Sequence, residues 1–211
     1  MASISYAITV CNELEEITTL LNFLQLHIRE EDEIVIQYDS SSATQEVKEY
    51  LNVMDMMHDN HKLISFPLDN DFASFKNNLK SFCTKDYIFQ IDADEVPHEY
   101  LIEILGDVLD SNPVDIVFVP RVNTVKGLTN KHIQKWKWNV NEKGWVNFPD
   151  YQTRIYKNTD DVVWMNKVHE QITGYNTFSN FPAEEQFSLY HHKDIVRQEK
   201  QNNYYSELQN G

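Results

Sequence analysis

Tyr87-Ile88-Phe89-Gln90-Ile91-Asp92-Ala93-Asp94-Glu95 is an apolar run that stops at three carboxylates within four residues. Tyr, Ile and Phe in a short run bounded by polar residues read as a mostly buried strand, so the acids sit at its carboxyl end. In an α/β sheet, ligands bind at that end. Three neighbouring carboxylates raise one another's pKa unless a cation or hydrogen-bond donors lie among them. Oxygen ligands suit Mg²⁺, Mn²⁺ or Ca²⁺ better than softer metals. A solvated acidic turn capping the next helix is the competing reading of the same residues, so the surrounding chain has to decide.

Working outward, strand and helix patterns alternate on both sides of this stretch. Residues Ser3 to Val10 interleave small or polar side chains with Ile4, Tyr6, Ile8 and Val10, a strand pattern. Leu14, Ile17, Leu20, Leu21 and Leu24 then follow helical spacing, with Asn12 placed to cap them. Glu33 to Tyr38 predicts a second strand ending in the turn Asp39–Ser42. The next helix starts at about Ala43 and carries Val47, Tyr50, Leu51 and Met54. Lys62 to Phe66 predicts a third strand. Phe72, Phe75, Leu79 and Phe82 form one helical face with Asp71 or Asn70 as cap, and Lys76, Asn77 and Asn78 lie off that stripe.

Beyond the acids, Pro97 opens a helix through Leu101, Ile104, Leu105, Val108 and Leu109, and Ile116 to Val119 predicts a fifth strand ending at Pro120-Arg121. This alternation implies a parallel, doubly wound sheet. Regularity ends there. Residues 122–150, with Trp136, Trp138 and Trp145, read as a long loop or short hairpins, and such loops are disproportionately functional. The tryptophans suit either a secondary core or a ligand-binding lip. Gln152–Tyr156 and Asp161–Trp164 read as short strands, antiparallel at the sheet edge. A polar tail from about Asp194 to Leu208 reads as helical.

The 211 residues, 41% of them hydrophobic, are most simply one domain, residues 1–211, without repeats or linkers. A net charge of −15, from 33 acids and 18 bases, argues against nucleic acid or an anionic membrane as the main partner. No apolar run approaches the roughly 20 residues that span a bilayer, which predicts no integral membrane segment. The N-terminus has no basic segment before its first strand, and Cys11 and Cys83 lie far apart, so the expected location is cytoplasmic.

Several short motifs come in a characteristic order: Ile8–Leu14, Asp39–Ser42, Asp71–Asn77, Ile91–Glu95, Arg154–Tyr156, Val168–Glu170 and Tyr190–Lys193. In order and spacing the chain resembles the glycosyltransferases of the GT-A fold, family 2, and its late motifs are similar to the bacterial lipopolysaccharide-core and related β-glucosyltransferases. The resemblance implies a Rossmann-like, mostly parallel central sheet flanked by helices. Residues 1–121 would form the nucleotide-sugar-binding half, and residues 122–211 an irregular acceptor-side half. It further implies metal-dependent, inverting transfer of a hexose from a UDP-sugar to an acceptor hydroxyl on a carbohydrate, lipid-linked or other glycan.

In such a transfer, negative charge grows on the departing diphosphate, and a bridging Mn²⁺ or Mg²⁺ stabilises it. By the resemblance, Asp94 is the metal ligand, Asp92 contacts the ribose or a metal-bound water, and His191 completes the metal site, with His169 and His192 as alternatives. Asp39 accepts from the base, Thr9 and Glu13 line the nucleotide cleft, and Lys76 and Arg154 contact phosphate or sugar. Glu170 is the expected catalytic base, with Glu95 and Asp150 as alternatives. A nucleotidyltransferase would require a glycine-rich phosphate loop after the first strand; here that loop is Cys11–Leu14, in a chain with five glycines. A non-catalytic protein that kept the nucleotide-sugar fold is the remaining alternative.

Overall fold

The computed structural model describes residues 1–200. The elements follow in order as β1 (Ile4–Val10), α1 (Leu14–His27), β2 (Glu33–Asp39), α2 (Gln45–Met57), β3 (His61–Phe66), α3 (Phe72–Lys80), β4 (Tyr87–Asp92), β5 (Glu95–Pro97) and α4 (Glu99–Ser111). They continue with β6 (Ile116–Lys126), α5 (Asn130–Trp136), β7 (Val146–Lys157), β8 (Val163–Met165), β9 (Gln171–Thr173), β10 (Phe178–Asn180) and β11 (Leu189–Asp194).

Among the described residues, one sheet runs β3-β2-β1-β4-β7-β6-β11-β5, with β10 also paired to β6. Strands β3, β2, β1 and β4 are mutually parallel. Ile4, Tyr6 and Ile8 of β1 enter a core shared with Leu20, Leu21 and Leu24 of α1 and Leu101 and Leu105 of α4. On the opposite face Ala7, Val35 and Ile88 meet Ala73 and Leu79 of α3. Both faces are therefore covered, as parallel sheets require. The small Ser5 and Ala7 are buried for this reason; the period-two pattern of β1 distinguishes two packed faces of different bulk, not an inside from an outside.

Several expectations need correction. The sheet is mixed: β7 inserts antiparallel between β4 and β6. The strand expected to end at Val119 continues through Pro120 to Lys126. Register shifts flank the proline, between Val117 and Phe118 and between Arg121 and Asn123, and strands accept proline near such irregularities. Residues 122–150 accordingly contain the end of β6, the helix α5 and the start of β7 rather than a loop. The edge strand expected at 152–156 is part of the interior strand β7, while β8 pairs with β9 in a separate hairpin.

Asn12 does not cap α1; Glu13 holds that position without a side-chain capping bond. Helix α2 begins at Gln45 behind Thr44, and Pro97 ends β5 while His98 caps α4. Asp71 caps α3 as expected, accepting from the Ser74 amide at 2.9 Å. The polar side of α3 is not a solvent face. Asn77 exchanges two hydrogen bonds with the Trp164 backbone, and Asn78 donates to the buried Gln37. The boundary at residue 121 falls inside β6, and one sheet passes through both halves. The tail is helical over 195–200, and the rest of the expected helix lies outside the described residues. Among the described residues no helix is long and apolar enough to cross a membrane.

Candidate active site

The carboxyl ends of β1, β2 and β4 open into a cleft of about 1540 Å³, closed on the other side by residues of β6, β7 and β11. Thr9, Glu13, Asp39, Lys76, Asp92, Asp94, Arg154, Glu170 and His191 all line it, as does His169. Residues spread over most of the chain converge because strand ends of β1, β2 and β4, helix α3 and the strands β7 and β11 meet at the same rim of the sheet.

On the β2 side, Asp39 Oδ1 accepts from the amides of Ser41 and Leu68 at 3.0 and 3.1 Å, which fixes the carboxylate where the sheet ends. Glu13 bends back over the end of β1, and its Oε2 accepts from the amides of Cys11 and Asn12 at 2.9 and 3.0 Å. Lys76 is 5% exposed. Its ammonium lies 4.4 Å from the Trp164 ring centroid and 2.6 Å from Glu170 Oε1, so a buried cation is shared between an aromatic face and a carboxylate.

The three acids at the tip of β4 have different partners. Asp92 accepts from Arg154 Nη2 at 2.5 Å and from Thr9 Oγ1 at 3.2 Å. Burial alone would raise its pKa, but Arg154, followed by Lys76, outweighs burial and holds the carboxyl well below the usual range. Glu95 is fully buried and accepts from Arg154 Nη2 at 2.6 Å and Arg121 Nη1 at 2.8 Å. Arg121 also binds Asp150 at 2.7 Å. Glu95 and Asp150 therefore belong to a lattice of two guanidinium groups and three carboxylates and do not line the cleft. Burial opposes the charge of Arg154, and Asp92 and Glu95 overcome that opposition.

Asp94 faces His191, with Oδ2 3.3 Å from Nε2. Asp150 Oδ2 accepts from Asn123 Nδ2 at 2.8 Å, which orients the amide so that its Oδ1 meets His191 Nδ1 at 2.7 Å. That assignment makes Nδ1 the protonated nitrogen and leaves the Nε2 lone pair directed at the Asp94 carboxylate. Two acceptors so close require a cation or a proton between them. Cis ligands of an octahedral ion at about 2.1 Å stand about 3 Å apart, so the pair fits a hard divalent cation. Burial raises the Asp94 pKa, but with a proton on His191 Nε2 the hydrogen bond and charge of His191, together with Lys193, outweigh burial and hold the carboxyl below its usual value. Among the described residues no set of three His, Cys, Asp or Glu side chains could hold a metal ion, because Asp92 is turned to Arg154. A hard divalent cation held there would take two protein ligands, with the other positions left to water or phosphate, as Mg²⁺ sites commonly do.

His192 bonds Thr124 and is absent from the cleft lining. Trp136 and Trp138 are half-buried with centroids 4.6 Å apart, His132 stacks on Trp136 at 5.2 Å, and Trp145 meets Phe148 edge-on at 4.8 Å. Trp138 reaches the cleft. Sequence reasoning passed over Arg121, Asn123 and Arg197. Continuing the two-residue period of β6 past Pro120 would have placed Arg121 and Asn123 on one face of a strand. Nothing local marks Arg197.

The model of the family described as Glycosyl transferase family 2 matches residues 5–187, and the chain belongs to that family. No curated protein matches the sequence. Among solved structures, S. aureus TarS 1–349 superposes with a TM-score of 0.62 at 13% identity, over 91% of this chain and 60% of that one. The complex of S. aureus TarS 1–349 with UDP-GlcNAc gives 0.59 at 15% identity, over 92% and 59%. A mannosyltransferase from Pyrobaculum calidifontis, in complex with GDP-Man and Mn²⁺, matches 56% of this chain and 35% of its own at 18% identity, with a TM-score of 0.48. The TarS likeness is one of fold: an α/β protein with a mixed, mostly parallel central sheet flanked by helices. This chain spans about 60% of the length of TarS 1–349.

Proposed function

We propose that this protein transfers a hexose from a UDP-sugar to an acceptor hydroxyl with inversion of configuration, using Mn²⁺ or Mg²⁺. The convergence of Asp39, Asp92, Asp94, His191 and Glu170 on one cleft carries the reading. Family membership supports it, as do the structures of the similar TarS with UDP and with UDP-GlcNAc.

Asp39 accepts from the base, while Thr9 and Glu13 border the nucleoside. Asp94 and His191 hold the metal, which supplies Lewis-acid stabilisation of the leaving diphosphate. Asp92, locked by Arg154, orients the ribose. Glu170 takes the acceptor proton as the acceptor oxygen bonds to the anomeric carbon and the bond from that carbon to the diphosphate oxygen breaks, releasing UDP. The charge of Lys76 must move toward the donor before Glu170 is free to act. Glu95 and Asp150 are saturated by guanidinium donors and serve to position Arg154, Arg121 and Asn123 instead.

Calorimetric titration with UDP and with GDP, in Mn²⁺ and then in EDTA, tests the donor site. Metal-dependent binding of UDP is expected, and binding of neither nucleotide would leave the non-catalytic alternative. Asp94→Ala should abolish transfer and the metal dependence of UDP binding. Glu170→Gln should retain UDP binding and lose transfer by about 10²-fold or more; a fully active variant would remove Glu170 from the base role.

A further inference from the structure

The segment after β11 lines the donor cleft with Val196, Arg197, Gln198 and Lys200. Asp194 Oδ1 accepts from the Arg197 amide at 2.8 Å and starts the helical turn at 195–200. Gly127, with φ of +84°, lets the preceding Ile195 approach; a Cβ there would come within 3.1 Å of Ile195 Cγ2. Held in this way, Arg197 reaches three carboxylates, two at the start of α1 and one beyond the end of β4. Nη1 lies 2.6 Å from Glu16 Oε1, and Nη2 lies 3.2 Å from both Glu13 Oε1 and Asp94 Oδ2. The side chain is 32% exposed, so it can exchange partners without unfolding its surroundings.

Asp94 Oδ2 is also the atom that faces His191 Nε2. The guanidinium thus binds the same oxygen that a divalent ion would need. A planar guanidinium fork is also well matched to phosphate oxygens. We propose, resting on the donor-site reading above, that Arg197 is an exchangeable cation of the active site. It holds Asp94 while the cleft is empty, yields Asp94 to the divalent ion when the donor enters, and turns its fork to the donor diphosphate. Glu13 and Glu16 keep the guanidinium beside the cleft during the exchange. No covalent bond changes; one carboxylate exchanges an organic cation for a metal cation.

Removing Arg197 should therefore shift two affinities in opposite directions. Titration of Mn²⁺ alone, with the free ion counted by electron paramagnetic resonance, should show Arg197→Ala binding Mn²⁺ about two- to fivefold more tightly than wild type, since a competing partly exposed ion pair is gone. In saturating Mn²⁺, UDP should bind the same variant about tenfold more weakly, for the loss of a charge-assisted contact. Arg197→Lys keeps the charge without the fork, so its Mn²⁺ affinity should stay near wild type while its UDP affinity falls.

Unchanged or weaker Mn²⁺ binding by Arg197→Ala would overturn the exchange, and so would unchanged UDP binding. Failure of the wild-type protein to bind UDP is a separate result: it would overturn the donor-site reading, while the Mn²⁺ titration would still decide whether Arg197 competes for Asp94.

Discussion

From β3 to β4 the sheet is parallel and packed by apolar side chains on both faces, with Thr9, Asp39 and Asp92 at its carboxyl rim. Beyond β4, strands β6 and β7 bring Arg121, Asp150 and Arg154 together beneath the cleft, where they bind Asp92 and Glu95 of the first half. The first region gains most of its stability from burial of apolar side chains, which carry no titrating charge. The second holds charges in place at the cost of desolvating them. The acids at the tip of β4 are therefore presented by one region and neutralised by the other, so the site exists only where the two meet.

Truncation on each side separates the two kinds of support. Arg154→Ala takes the ion-pair partner from Asp92, leaves Glu95 with Arg121 as its remaining guanidinium, and should destabilise the protein by about 3–5 kcal/mol at pH 7. Leu21→Ala, in the core of the first region, should cost about 2–5 kcal/mol. Urea denaturation from pH 7 down to pH 4 should distinguish them. The Arg154 penalty should shrink on acidification, because Asp92 without its partner then protonates, whereas the Leu21 penalty should stay level. Parallel pH profiles for the two variants would remove the distinction between the regions.

A smaller effect lies at the far edge of the first region. His61 opens the edge strand β3, bonds Gln25 and stacks on His58, and burial, followed by the charge of His58, lowers its pKa to about 4. Its folded pKa is below its unfolded value near 6.5, so the unfolded chain binds the proton first. The contribution is complete above about pH 6.5 and is lost as pH falls toward 4. On the order of 2 kcal/mol should disappear across that interval. His61→Gln should flatten this part of the stability curve; an unchanged slope would place the titrating group elsewhere.

How much was legible beforehand follows from the range of each interaction. The strand Tyr87–Asp92, its acids and the helix capped by Asp71 were readable because hydrophobic period and capping chemistry act over a few residues. Strand β7 was recognised only as the fragment 152–156 and assigned to the edge, because its own residues do not say which strands flank it. The same limit hid the extension of β6, where Pro120 reads locally as a stop although register shifts on either side accommodate it. The buried state of Lys76 was equally invisible, since its cover comes from Trp164 and Glu170, far along the chain.

The sequence by itself determined that four β-strands would build a parallel core, with Thr9, Asp39 and Asp92 toward one rim, and that three acids would stand at the tip of the last of them. Periodicity and turn chemistry are properties of adjacent residues. Only the tertiary structure decided which acid is which: Asp92 and Glu95 tied to Arg154, and Asp94 left to His191 and Arg197. Coulombic pairing depends on distance in space, and the partners stand far apart in the chain, 59 residues for Arg154 and Glu95 and 97 for His191 and Asp94. Folding alone brings them within hydrogen-bonding range.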